Sequence, residues 1–386
     1  MRGSLRERSP GVWELRVRTG RDPVTGAYGQ VSRTFRGPKR QAEAALARLS
    51  AEVADGRHSG TGQTVGFLLD QWISQLEAQG RAPKTLDGYR SLIKARLRPG
   101  LGHIPLRKLG PADLDAFYRR LLAEGLSPLT IRHAHAALST ALRQAVKWGW
   151  IDRSPAERAS PPSVPHSEVK PPTPEEVDRL MDELERTAPD LTAMVWVAVT
   201  TGCRRAELCG LRWSDLELER PSIIVRRSIT DTKSVGVAEK DTKNHRSRRL
   251  ALDWPTVAVL YAQKERMKTR AAEAGVALVE DPYVWSQDPT CGSPYKPDRV
   301  TDSFRNARKR IGLDHVDFHH LRHFSATTLA GAGIDVRTIA GRLGHANPAI
   351  TLRTYAHFLD VTDRKAAEIM GNLHLRTTPR VDVDAS

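Results

Sequence analysis

Three short runs and one tyrosine in the C-terminal half of this 386-residue chain carry residue types suited to chemistry on a phosphate. The run Thr201-Gly202-Cys203-Arg204-Arg205-Ala206-Glu207-Leu208 follows an apolar stretch from Met194 to Val199. His319-His320-Leu321-Arg322-His323 comes later, then Leu343-Gly344-His345, and Tyr355 stands ten residues beyond His345. Taken singly, each is weak. His319 and His323 are four apart and share a helical face, which invites zinc. The metalloprotease version of that pattern places Glu beside the first histidine, where this chain has His320, and no third ligand stands out.

Together the four features have one chemical meaning. Two guanidiniums can grip the non-bridging oxygens of a phosphodiester bidentately, a geometry lysine cannot match. Histidines add donors to the same oxygens as charge builds in the transition state. A tyrosine phenol, with a pKa of about 10, becomes a useful nucleophile only where positive charge favours the phenolate. The leaving 5′ oxygen needs a proton, which an ammonium on a hairpin could deliver. Candidates for it lie in Lys240-Asp241-Thr242-Lys243-Asn244, ahead of a strand at Arg249-Leu250-Ala251-Leu252.

The elements that must position these groups follow from the hydrophobic pattern. The expected architecture is mainly α with small β elements, in three parts. In residues 1–60, Trp13, Leu15 and Val17 alternate with Glu14, Arg16 and Arg18 as in a half-buried strand. A turn-rich stretch separates this from a second strand over Gln30–Phe35, and Pro38 opens a helix to about Asp55. Residues 61–160 read as a helical bundle: one stripe of Phe67, Leu68, Trp72, Ile73 and Leu76, then helices starting near Pro83, Pro111 and Ser127-Pro128. Seven prolines between Ser154 and Pro174 predict an extended linker, centred on residues 161–173. Residues 174–375 form a mixed α/β third domain, mostly helical with a strand-rich insert from Ser222 to Leu252. The tail 376–386 is short and polar.

Composition narrows the partners. Sixty Lys+Arg against forty-five Asp+Glu give a net charge of +15. Residues 1–60 carry 12 basic and 6 acidic groups and residues 61–165 carry 15 and 8, so these segments hold +6 and +7 of that total. Such a distribution suits a clamp on a phosphate backbone, bound largely through counterion release. No run approaches the roughly 20 apolar residues of a membrane span. Three cysteines at unrelated spacings make neither a disulfide framework nor a four-thiolate zinc site. With Met1–Pro10 lacking the apolar core of a signal peptide, a cytoplasmic protein is expected, nucleoid-associated when on DNA.

The order and spacing of these runs resemble the tyrosine site-specific recombinases, the phage-integrase family. That family's first box, T-G-x-R-x-x-E-L-x-x-L-x-W-x-D, matches Thr201, Gly202, Arg204, Glu207, Leu208, Leu211, Trp213 and Asp215. Its H-x-L-R-H box matches His319–His323, and its L-G-H and T-x-x-x-Y segments match Leu343–His345 and Thr351–Tyr355. The resemblance covers the third domain. The bundle is similar to the family's core-site-binding domain, and the first module to the arm-site-binding domains of the larger integrases.

The resemblance implies Tyr355 as nucleophile, Arg204 and Arg322 as the phosphate clamp, and His319 and His345 as assisting histidines. Lys243 best fits the lysine that protonates the leaving oxygen, with Lys240 the alternative. It implies Glu207 orienting or packing near its arginine rather than reacting, His320 and His323 as structural, and His357 as a bystander. It further implies strand breakage and rejoining through a 3′-phosphotyrosyl ester, without cofactor or metal. The implied partners are double-stranded DNA at attachment sites, a homotetramer in the synaptic complex, and accessory DNA-bending or directionality proteins. A type IB topoisomerase shares the tyrosine chemistry but relaxes DNA without choosing sites. A regulator that kept the fold and lost activity would lack the site residues present in this chain.

Overall fold

The computed structural model describes residues 3–21, 28–54, 63–165, 170–241 and 247–345, together with Met370. The chain divides into two compact units, residues 1–166 and 167–386.

In the first unit, β1 (Gly3–Ser9), β2 (Val12–Arg21) and β3 (Tyr28–Arg36) form an antiparallel sheet in that order, with α1 (Lys39–Ala54) on one face. Leu15, Val17 and Val31 point inward and pack with Ala42, Leu49 and Val53 of the helix. The sequence pattern predicts two strands, and the structure adds β1. Leu5 is its one large apolar residue, so no alternation announces it. It is held by its ladder to β2, with Leu5 opposite Leu15 and Arg6 opposite Glu14.

The bundle comprises α2 (Val65–Ala78), α3 (Pro83–Leu92), α4 (Arg98–Leu101), α5 (Pro111–Ala123) and α6 (Pro128–Lys147). Its core is Leu68, Leu69 and Trp72 against Leu114, Phe117, Ile131, Leu138 and Leu142. Side-chain caps fix two of the starts. Thr64 accepts from the Phe67 amide at 3.2 Å, and Ser127 accepts from the Thr130 amide at 3.2 Å. The helix beginning at Pro83 does not stop near Ile93. It continues into α4 through a π turn, Ile93–Leu97, just before Pro99, which has no N–H to give the ladder. The start of the proline-rich run also belongs to the bundle: Pro155–Glu157 is a 3₁₀ turn with Ala156 buried in the bundle core, and the Ser160 amide donates to Asp115 at 2.7 Å.

The second unit is built around α8 (Pro189–Thr201), flanked by α7 (Pro174–Thr187), α10 (Trp254–Glu273) and α12 (Phe318–Gly331). Leu191, Met194, Val195, Val197 and Ala198 of α8 are all buried, the pattern of a helix enclosed on every side. Next come the short α9 (Arg205–Cys209) and five strands: β4 (Leu216–Glu217), β5 (Ser222–Val225), β6 (Arg227–Thr232), β7 (Gly236–Asp241) and β8 (Arg248–Ala251). The expected strand-rich insert is thus two small antiparallel sheets, β4-β5-β8 and the hairpin β6-β7. α11 (Pro297–Arg310) and α13 (Val336–Leu343) are the remaining named helices among the described residues of the unit. Among the described residues no helix is long and apolar enough to cross a membrane.

Candidate active site

The end of α8 sets the first arginine. Gly202 caps the helix in the left-handed region at φ 66°, and a Cβ there would lie 2.5 Å from Leu343 Cδ2. Both backbone and space therefore require glycine. The turn buries Cys203 and leaves Arg204 as the N-cap of α9, half-buried at 31%. Glu207 reaches back to it twice: the Arg204 amide donates to Oε2 at 2.9 Å and Nη1 donates to Oε1 at 2.8 Å. Arg204 Nη2 lies 3.4 Å from the Gly344 carbonyl oxygen.

The second arginine comes from α12. Asp317 caps this helix, accepting from the His319 and His320 amides at 2.8 and 3.0 Å. That start sets the phase of the helix, so that Leu321 and Arg322 turn inward. Arg322 is 4% exposed, and its Nη1 donates to the Gly202 carbonyl at 2.7 Å. Its Nη2 is buried and has no hydrogen-bond partner among the described residues. His319 and His323 pack edge to face, ring centroids 4.9 Å apart. His320 Nδ1 accepts from the Asp317 amide at 3.1 Å, a structural capping contact. Following α13, Gly344 turns left-handed at φ 69° and the His345 amide closes on the Ala340 carbonyl at 2.9 Å.

Arg204, Arg322 and His319 line one cleft of about 360 Å³, with Arg205 and Thr301 at its wall. Burial, and then the charges of Arg204 and Arg248, push the Arg322 guanidinium down to about 10, against the pull of Glu207. Burial, followed by Arg322 and Arg204, pushes His345 down to about 4; burial and the neighbouring His319 and His320 do the same to His323. His319 is also lowered, by burial and Arg322. These rings are therefore neutral at pH 7. Burial would raise the Glu207 carboxyl, but the bonds and charges of Arg248 and Arg204 outweigh it and hold it below the ordinary range. Two guanidiniums, those of Arg204 and Arg248, thus share one buried carboxylate, and that of Arg322 lies within reach of its charge. An anion with two acceptor oxygens is the group this arrangement accommodates.

Of the residues singled out from the sequence, Arg204, Arg322 and His319 line this cleft, and His345 lies near enough to feel the charges of Arg322 and Arg204. Tyr355, Lys243 and His357 lie outside the described residues. Lys240 sits on β7 opposite Ser228. Arg248 escaped the sequence reading. It donates to Glu207 through Nη2 at 2.7 Å and Nη1 at 3.1 Å, and its Nε donates to the Arg342 carbonyl at 3.1 Å. One signal was present in the strand period: Arg248 shares a face with buried Leu250, and an arginine on a buried face needs a carboxylate.

The chain is also similar in sequence and fold to known proteins. Residues 172–361 match the model of the phage integrase family, and residues 64–122 match the phage integrase N-terminal SAM-like domain. A tyrosine recombinase XerC-like protein of Caldanaerobacter subterraneus is 24% identical over 336 residues, 81% of this chain and 84% of that one. The ICEBs1 integrase of Bacillus subtilis is 22% identical over 372 residues, 96% of this chain and all of its own length. The Tn1549 transposon integrase, solved in complex with transposon right-end DNA, superposes with a TM-score of 0.67 at 21% identity, covering 80% of this chain and all of that chain.

Proposed function

The chain belongs to the phage integrase family of tyrosine recombinases, and from that premise we propose how its residues divide the work of cutting and rejoining DNA at specific sites. The observation that supports this most is the meeting of Arg204 and Arg322, from runs more than a hundred residues apart, on one cleft beside His319.

Tyr355 Oη attacks the phosphorus of a scissile phosphodiester, its phenolic proton passing to one of the neutral histidines, His319 or His345. The bond from phosphorus to the 5′ oxygen breaks, and a 3′-phosphotyrosyl ester remains. Arg204 and Arg322 neutralise the non-bridging oxygens as charge accumulates, and the Nη2 of Arg322, without a hydrogen-bond partner among the described residues, gains an acceptor. His319 and His345, neutral before DNA arrives, can each donate through one nitrogen and accept through the other. Lys243 gives its proton to the departing 5′ oxygen, with Lys240 the alternative. A 5′ hydroxyl from the partner duplex then attacks the ester, releases Tyr355 and restores a phosphodiester. The number and kind of bonds are conserved, so the exchange needs no nucleotide hydrolysis.

Exchange between two duplexes requires four such sites, hence a homotetramer on DNA. Residues 61–160 would hold the core site next to the break, and residues 1–60 a separate arm site. Integration of a phage or other mobile element into a chromosome is the process this plan serves, assisted by accessory DNA-bending or directionality proteins. The test uses nicked duplexes tiled across the DNA flanking the gene. The wild-type chain should form an SDS-resistant adduct on one of them. A Tyr355→Phe chain should bind that duplex and form none. An adduct persisting in Tyr355→Phe overturns the assignment.

A further inference from the structure

We propose that Arg248 is a positioning residue of the recombination site, one that keeps Arg204 available to the DNA phosphate by occupying the carboxylate that would otherwise capture it. The inference rests on the roles proposed above for Arg204 and Tyr355.

The geometry is specific. Glu207 is almost fully buried and accepts from two arginines of different exposure, 12% for the Arg248 side chain and 31% for Arg204. Arg248 spends both terminal nitrogens on the carboxylate and its Nε on the Arg342 carbonyl. It lies inside the fold, as a structural cation does. Arg204 gives Glu207 only Nη1 from its side chain, and Nη2 extends toward the Gly344 carbonyl at the cleft. A carboxylate has about four acceptor positions, and a lone Arg–carboxylate pair favours the bidentate fork. With Arg248 holding two of those positions and the Arg204 amide a third, one is left for the Arg204 side chain. Without Arg248, a buried anion would face one guanidinium alone, and the fork would turn Arg204 into the protein and away from the phosphate.

The same side chain fixes a second part of the site. Its bond to the Arg342 carbonyl holds the last turn of α13, directly before the turn that carries His345. A Cβ on Gly344 would approach Arg248 Nη1 to 2.9 Å, so the strand arginine and the glycine turn are packed on one another. Arg248 therefore sets Arg204 through Glu207 and sets His345 through backbone.

Three full-length chains test this on the adduct-forming nicked duplex: Arg248→Met, the double variant Arg248→Met/Glu207→Gln, and Arg248→Lys. The readouts are the single-turnover rate of adduct formation at saturating DNA, the Kd for the duplex, and Tm. Arg248→Met should cleave at least 100-fold more slowly with Kd changed less than threefold. Removing the competing charge in the double variant should recover at least tenfold of that rate. Arg248→Lys, which cannot make the fork, should fall between wild type and Arg248→Met. The proposal is overturned if Arg248→Met cleaves within threefold of wild type, or if the rate follows Tm alone across all three variants. If the double variant recovers stability without rate, Arg248 is only a structural cation. Failure of the wild-type adduct to depend on Tyr355 would instead overturn the underlying assignment, so the two failures are separable.

Discussion

Arg322→Met should slow strand cleavage sharply without destabilising the fold. The guanidinium at this position is pushed down to about 10, well below the ordinary arginine range, because it is buried and feels the charges of Arg204 and Arg248. At about 1.36 kcal/mol per unit, keeping it charged costs the folded state about 3 kcal/mol. The sign is that of a cation disfavoured by folding. The cost is fully present below about pH 10 and is relieved only as pH rises from there toward the ordinary arginine range. Against it stands one charged hydrogen bond, to the Gly202 carbonyl, worth about 1.5–3 kcal/mol. Methionine fills much of the same volume and carries no charge, so the two terms nearly cancel, with a net change of about 0–2 kcal/mol toward stability. At roughly 2–4 °C per kcal/mol for a unit of this size, Tm should stay level or rise by several degrees. Removing one arm of the phosphate clamp should slow adduct formation by about 10²–10³-fold, the usual worth of one preorganised donor. Differential scanning calorimetry and single-turnover adduct formation on the same preparation measure both. A fall in Tm of more than about 6 °C would refute the claim that Arg322 is held at an energetic cost.

Three further outcomes follow from the same site. Lys243→Ala should slow cleavage of an ordinary duplex by about 10²–10⁴-fold, yet cleave normally when the leaving 5′ oxygen is replaced by sulfur, which departs without a proton. If Lys240→Ala shows that rescue instead, the acid is Lys240. The urea midpoint of the second unit should fall as pH drops from about 6.5 toward 4, because His323 and His345 must enter the fold uncharged. His345→Asn should make that slope shallower, and an unchanged slope would mean that His345 does not drive it. Gly202→Ala should destabilise by about 2–4 kcal/mol through its backbone angle and its contact with Leu343, as read from chemical denaturation. A Gly202→Ala chain as stable as wild type would mean that neither constraint operates.

The sequence displayed what is local and hid what depends on distant pairing. The enclosed helix α8 was legible because it is apolar on all sides, and Arg204 because Gly202 and Glu207 bracket it at fixed spacing. Arg322 and His319 stood out through their clustering on one helical run. β1 was not legible, since one leucine in seven residues gives no period and its order comes from Val17, Leu15 and Trp13 across the ladder. Arg248 was hidden for the same reason: its partner Glu207 lies 41 residues away, so its meaning depends on β8 meeting α9. The proline-rich run read as one linker, although the contact of Ala156 with the bundle places its start in the first unit.

The contact between Arg248 and Gly344 also constrains descent. A mutation that adds a side chain at 344 meets a guanidinium tied on three sides, whereas one that shortens 248 opens room for it. Because the left-handed backbone at 344 disfavours a side chain even when room is opened, the glycine should persist across divergent kin, and where it is replaced the strand residue should already be smaller.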